Sequence, residues 1–412
     1  MLDVLKISAV FVAILVLIRL RWNIGYVLIT ASGLLALLYL MPLDVVLSTI
    51  MRTVTDAVTI KLFFVLTLIR VLEIILREKQ VLARMTTAAR TLLKKKRFVI
   101  ISMPALIGLL PSLGGAYFSA PMVDESTKGL KMSQEEKGFI NYWFRHPWEC
   151  ILPLYPGILL AAAVSHIELR SFILANVTYA VLIFATGFMF SMRNISGEFK
   201  ADKEDFLQNE NDAGDSGSSE LKRRHPYWNF FPLIFILFLV IVLDVELHYA
   251  LALTILPLLV FYRYKGADIL RFLKYGFAIE VIVLIVGTML FKMTMENSGA
   301  VGQLSRYFSE SGMPLLPILL VLPFITGLLT GITVAFVSST FPLLISISGG
   351  AFLNEMTLAF AAGFIGVLLS PVHLCLVLTR EYFKADMRGI YKRIIPGCLI
   401  VLASALILYH VL

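Results

Sequence analysis

The chain has 412 residues, of which 58% are hydrophobic and only 16% charged, with a mean hydropathy of +0.85. A soluble domain of that length needs more charge to cover its surface, so composition excludes an ordinary water-soluble fold and implies an integral membrane protein. The net charge of +8 sits in short basic stretches between apolar runs. That is the pattern expected beside anionic headgroups and not along a nucleic acid.

The first three apolar runs, 2–19, 25–42 and 57–77, are long enough to cross the roughly 30 Å of hydrocarbon that about 20 residues span. The first has no small-residue cleavage site, so it reads as a span and not as a removed signal. After them comes "REKQVLARMTTAARTLLKKKR", with eight basic residues and one acid from Arg77 to Arg97. By the positive-inside bias this segment is cytoplasmic, and counting back places the N-terminus outside.

The next stretch, 99–123, is too broken for a plain span: "PALIGLLPSLGGAYFSAP" places Pro111, Ser112, Gly114, Gly115 and Ser119 in its middle. We expect a re-entrant hairpin that returns to its own side. The fourth span, 138–165, has 28 residues and carries Arg145, His146 and Glu149 among Pro147, Pro153 and Pro156. Ionisable groups at that depth cost about 2.5–3.5 kcal/mol each for Arg or Asp, and so point to a task. The plainer alternatives are an Arg145–Glu149 pair at i,i+4 spacing and a histidine that is merely hydrogen-bonded packing. A fifth span, 170–191, closes the half, and the Ser-, Gly- and Asp-rich 192–226 reads as a flexible cytoplasmic linker.

Spans at 228–244, 248–264 and 275–293 follow, then a second broken stretch, 315–346, and spans at 353–378 and 394–411. Lys61, Arg70, Glu73 and Glu280 read as interfacial or paired charges, and the two termini both fall outside. The three cysteines, Cys150, Cys375 and Cys398, show neither a disulfide framework nor metal-ligand spacing, and the sequence leaves the question of a metal open.

An ungapped shift of 219 residues sets "PALIGLLPSLGGAYFSAPMV" over "PFITGLLTGITVAFVSSTFP", matching Pro104, Gly108, Leu109, Leu110, Ala116 and Ser119 with identical residues. The second tip then holds Thr330, Gly331, Thr333, Ser338, Ser339 and Thr340, and the ninth span carries a counterpart break at Ser370-Pro371 with His373 beyond. Five spans per half is an odd number, so the second half enters the membrane from the opposite side. Paired broken segments in an inverted repeat are the sequence signature of a secondary transporter, because non-helical backbone at membrane depth survives only around a cavity. Half-helix N-termini there attract anions. Close small-residue packing is the alternative use of such residues.

The expected fold class is therefore all-α integral membrane, with ten transmembrane helices and two re-entrant hairpins. The expected regions are a scaffold at 1–77, a basic amphipathic helix at 78–98, a transport bundle at 99–191 and the linker at 192–226. The second half repeats them as a scaffold at 227–294, an external amphipathic helix at 295–314 and a transport bundle at 315–412. The organisation resembles the ion-transporter superfamily of citrate, C4-dicarboxylate, gluconate and arsenite carriers. The segments "LLPSLGGAYFSAP", "FRHPWE" and "GFIGVLLSPVHLCLVLTREYF" resemble more closely an uncharacterised prokaryotic ten-span family within it. That resemblance implies an elevator-type carrier in the cytoplasmic membrane, and a homodimer formed through the scaffold. Dicarboxylate members carry Ser-Asn-Thr at each tip. This chain has Leu-Gly-Gly and Ser-Ser-Thr, which speaks against a dicarboxylate cargo and a sodium couple.

The resulting expectation is a non-enzymatic carrier of a small anion coupled to H+ or Na+, with no organic cofactor and no nucleic-acid partner. A cation/proton antiporter centred on Glu149, and a membrane-embedded enzyme using Ser119 or Ser338 with His146 or His373, are the alternatives.

Overall fold

The computed structural model describes residues 2–111, 115–192, 195, 226–300, 302–303, 306–307 and 314–411. Ser112 and Gly114 of the first tip, nearly all of the 192–226 linker and nine residues of 295–314 lie outside the described residues.

All regular structure among the described residues is helical. The first half contributes α1 Leu2–Arg19, α2 Ile24–Leu38, α3 Leu43–Thr55, α4 Ala57–Glu78, α5 Val81–Leu92, α6 Lys96–Ile107, α7 Gly115–Ser126, α8 Gln134–Trp143, α9 Pro156–Ser165 and α10 Leu169–Gly187. The second contributes α11 Phe231–Leu237, α12 Leu247–Phe261, α13 Gly266–Gly276, α14 Ile279–Asn297, α15 Leu315–Thr330, α16 Thr333–Ser348, α17 Leu353–Leu369, α18 Leu374–Phe383 and α19 Met387–Val411. Local chemistry sets many of the boundaries. Asn23 and Asp56 accept backbone N–H bonds at the starts of α2 and α4, Ser133 and Glu136 form a capping box on α8, and Pro156 opens α9.

By length and apolarity, three helical runs among the described residues suffice to cross a membrane: Leu169–Met192, Leu353–Phe383 and Met387–Val411. A fourth joins them if Gly266–Gly276 and Ile279–Asn297, bent by 41°, count as one. Of the other expected spans, α1 and α4 are long enough but carry more charge, and the rest are shorter or broken apolar helices. Large apolar side chains such as Leu37, Leu40, Val260 and Ile407 point outward. Apolar helices with apolar outer faces are the pattern of a membrane-embedded protein. Helices α3 and α13, for which the sequence reading placed no element, are both amphipathic.

Apart from α5, whose counterpart positions 300–311 lie largely outside the described residues, the repeat extends over the helix order. A shift of 219 residues carries α6 to 315–326, α9 to 375–384 and α10 to 388–406, close to the observed α15, α18 and α19. Packing follows the same rule. Helix α2 packs on α14, and its counterpart α12 packs on α4, the counterpart of α14. Likewise α3 lies on α14 and α13 on α4, while α7 lies on α18 and α16 on α9. Each half is thus completed by the other.

Both broken stretches are helix–break–helix pairs. Lys96 Nζ, at the start of α6, donates to the Lys128 carbonyl just after α7 at 3.3 Å, so the first pair begins and ends at one place. In the second pair, Leu315, Ile318 and Leu322 share an apolar cluster with Leu343 and Ile347. Contacts toward the helix ends fall into two sets. One joins Arg90 to Glu125, Lys137 to Asp124, Arg393 to Glu136 and Arg271 to Glu78. The other joins Lys61 to Glu246, Arg170 to Asp244 and Asn354 to the Tyr409 carbonyl. The charge count puts all of the first set's segments on one face and all of the second's on the other.

Candidate functional site

Three interruptions of helix meet in the interior. The first follows α8. Prolines at 147, 153 and 156 lack the N–H that an α-helix needs, so the chain from Phe144 to Tyr155 makes only one short 3-10 turn, Pro147–Cys150. The second separates α15 from α16. Gly331 adopts φ +65°, its N–H bonds to the Gly327 carbonyl, and Thr330 Oγ1 accepts from Ile332 N at 3.3 Å. The third separates α17 from α18. Ser370, before Pro371, is extended, as a residue preceding proline prefers, and His373 caps α18.

These breaks bring His146 and His373 together across the repeat, with their Nε2 atoms 3.1 Å apart. Each ring is fixed from behind. His146 Nδ1 donates to the Tyr142 carbonyl at 2.5 Å, and His373 Nδ1 donates to the Gly331 carbonyl at 2.7 Å. A carbonyl can only accept, so both Nδ1 atoms carry the proton. Tyr142 packs on both rings, 4.4 Å from His146 and 5.7 Å from His373 by centroid, and is itself held by its hydroxyl on the Leu368 carbonyl at 3.0 Å.

Glu149 Oε2 accepts from Thr333 Oγ1 at 2.9 Å, which ties the α8–α9 break to the first residue of α16. Its other oxygen lies 3.9 Å from His146 Nε2. The carboxylate therefore turns to Thr333 and His146. Arg145 and His146 are consecutive and buried, at 4% and 0% exposure, and Gly108 of the first broken stretch abuts the Arg145 carbonyl. Tyr155, from the far end of this break, donates to the Gly108 carbonyl at 2.5 Å, and Trp148 donates to Ala105 at 2.7 Å. Arg145, His146 and Tyr155 are polar or charged groups withdrawn from water, a costly arrangement unless partners or a ligand offset it.

Of the residues expected from sequence, the structure therefore brings together His146, Glu149, Gly331, Thr333, Ser370 and His373, with Arg145 in the same break. A Cβ on Gly331 would come within 3.0 Å of Ser370 Oγ and 2.9 Å of His373 N, which shows how closely the second and third breaks are pressed. Thr330 serves its own turn. Ser119 belongs to a separate buried network: its hydroxyl donates to Asn141 Oδ1 at 2.6 Å, and Asn141 donates onward to Thr379 at 2.9 Å and to the Ala116 carbonyl at 3.0 Å. Gly115 opens α7 in the interior. Ser338 accepts from Thr288 of α14 at 3.0 Å, whereas Ser339 and Thr340 bond back to the Ala335 and Phe336 carbonyls of their own helix.

Sequence reasoning missed Tyr142, Asn141, Thr379 and Cys375. A polar Asn141 inside an apolar helix was a usable signal. Cys375 was not, because the sequence sets it two positions from His373 but 229 from His146, the other member of the group.

A family model described as "Protein of unknown function (DUF401)" matches residues 3–412. The chain belongs to that family. Comparison with curated proteins returns no match.

Proposed function

We propose that this DUF401 chain is a secondary transporter that moves a small anionic solute across the membrane, coupled to H+ or Na+. The observation that carries the reading is the meeting of repeat-related helix breaks at one buried point. Unpaired backbone there needs a cavity or protein to cover it, and breaks in two equivalent halves facing one another define the midpoint of an alternating-access carrier. Arg145 supplies positive charge, the start of α16 supplies free N–H groups, and Thr333 supplies a hydroxyl. The broken pairs α6–α7 and α15–α16 act as gates on a bundle that moves against α1–α4 and α11–α14, the elevator scheme of the ion-transporter superfamily. A homodimer through those outer helices would anchor the stationary part.

Two alternatives are separable. Exchange of cations for protons would centre on Glu149. A hydrolase would need a serine beside a histidine, yet the partners of Ser119 and Ser338 are Asn141 and Thr288. In proteoliposomes loaded with mono- and dicarboxylates and phosphate-like anions in turn, Arg145→Gln should abolish uptake without changing the thermal melt. Unchanged uptake with unchanged apparent affinity would overturn the anion role. Loss of cation-driven proton movement in Glu149→Gln, with no anion flux in the parent, would replace the reading by the exchange one.

A further inference from the structure

The point where the two halves meet has a chemistry that the transport reading does not use. His146 and His373 present Nε2 to Nε2 at 3.1 Å, and both Nδ1 protons are already committed to carbonyls. Each neutral ring therefore aims a lone pair at the other. Two lone pairs at that distance repel unless something positive lies between them. Cys375 Sγ adds a third donor, and the two ring nitrogens and this sulfur all lie within 4.8 Å of one another.

We propose that His146, His373 and Cys375 form a binding site for one thiophilic metal ion, Zn2+ by charge and geometry. In tetrahedral zinc, Zn–N bonds of about 2.0–2.1 Å and a Zn–S bond of about 2.3 Å place ligand atoms about 3.3–3.6 Å apart. The His146–His373 separation of 3.1 Å is close to that edge, and the sulfur lies within 4.8 Å of both nitrogens. Ring N–H groups held by backbone carbonyls are the outer support that metal-bound histidines have elsewhere. The Glu149 oxygen 3.9 Å from His146 Nε2 is placed to take the fourth position or to hold a water there. A thiolate and a carboxylate together balance the charge of a divalent ion, and the sulfur selects zinc over magnesium or calcium. The ligands come from both halves, so the ion would bridge the α8–α9 break to the α17–α18 break. None of this requires that the chain carry a solute.

Cobalt provides the probe. The full-length chain in nanodiscs, stripped with chelator, is titrated with Co2+ and then with Zn2+. The expected result is one equivalent of tetrahedral Co2+ with a thiolate-to-cobalt charge-transfer band, displaced by Zn2+. Cys375→Ser removes that band, whereas Cys150→Ser and Cys398→Ser keep it. His373→Gln weakens binding by more than about ten-fold, the size of loss that even an outer-shell substitution produces. Metal-free melts of the variants are read beside these titrations, and Cys375→Ala repeats the measurement should the serine variant melt lower than the parent. No saturable Co2+ binding by the parent would mean that a proton alone fills the gap, and would overturn the site. So would a charge-transfer band that survives in both Cys375 variants.

Discussion

Gly331 illustrates how much one position can be asked to do. Its φ of +65° costs a side-chain-bearing residue roughly 1–2 kcal/mol, and the space a Cβ would occupy is already filled by the His373 backbone at 2.9 Å. Gly129 shares the left-handed conformation, φ +78°, but has nothing within 4 Å of a built Cβ. The pair separates conformation from crowding. Gly129→Ala should lower the melting temperature by the conformational term alone, and Gly331→Ala should lower it further. Equal shifts in a detergent melt would show that the second and third breaks are not pressed together as described. Which residues could be read in advance follows a physical rule. Arg145, His146 and Glu149 stood out because each is costly in an apolar segment. His373 stood out beside a proline break. Ser339 and Thr340 were read as site candidates by residue type alone, and in the structure both hydroxyls bond the carbonyl one turn back, as a hydroxyl inside a helix can.

The helices obey the same division between local and distant causes. The start of α8 was expected only as the beginning of a span, yet it is a junction. Ser133 and Glu136 cap it, Glu135 Oε1 accepts from Asp386 N at 3.2 Å, and Arg393 reaches Glu136 at 3.0 Å. The Glu135 carboxyl is held below its ordinary value by its own backbone N–H first, then by the Ser133 hydroxyl and the Asp386 N–H. A depressed carboxylate contributes stability above the unfolded-state value and loses it as pH falls through the folded one. Wild type should therefore outlast Glu135→Gln in melts near neutral pH, and the gap should close as pH drops through and below the usual carboxylate range. A gap that stays constant with pH would deny the link. Broken helices were legible wherever Gly, Pro and Ser interrupt an apolar run. Helices α3 and α13 were not, because attention to continuous apolar runs passes over amphipathic ones whose apolar residues recur every three to four positions.

For the molecule as a whole, the repeat was readable in sequence from six identities in one window together with five spans and one broken stretch in each half, while the reciprocal packing was not. Its interface between the proposed moving and stationary parts is specific. Ser338 of α16 meets Thr288 of α14 at 3.0 Å, and Lys292 of the same α14 meets His166 beyond α9. An elevator must break these contacts in each cycle. Cysteines at 288 and 338, oxidised to a disulfide, should stop solute exchange in proteoliposomes, and reductant should restore it. Exchange that continues with the bridge intact would mean that α14 and α16 travel together, against the scheme proposed above.

The crossed packing of the halves also bears on how the chain comes to be. When α1 to α10 have left the ribosome, α4 still lacks α12 and α13, α7 lacks α18, and α9 lacks α16. The first ten helices must therefore wait in the bilayer with their polar breaks uncovered, held by lipid, by the insertion machinery or by one another. Only the last turns of synthesis close the structure, so a stop codon anywhere past the linker would leave behind an unfinished partner and not a smaller working half.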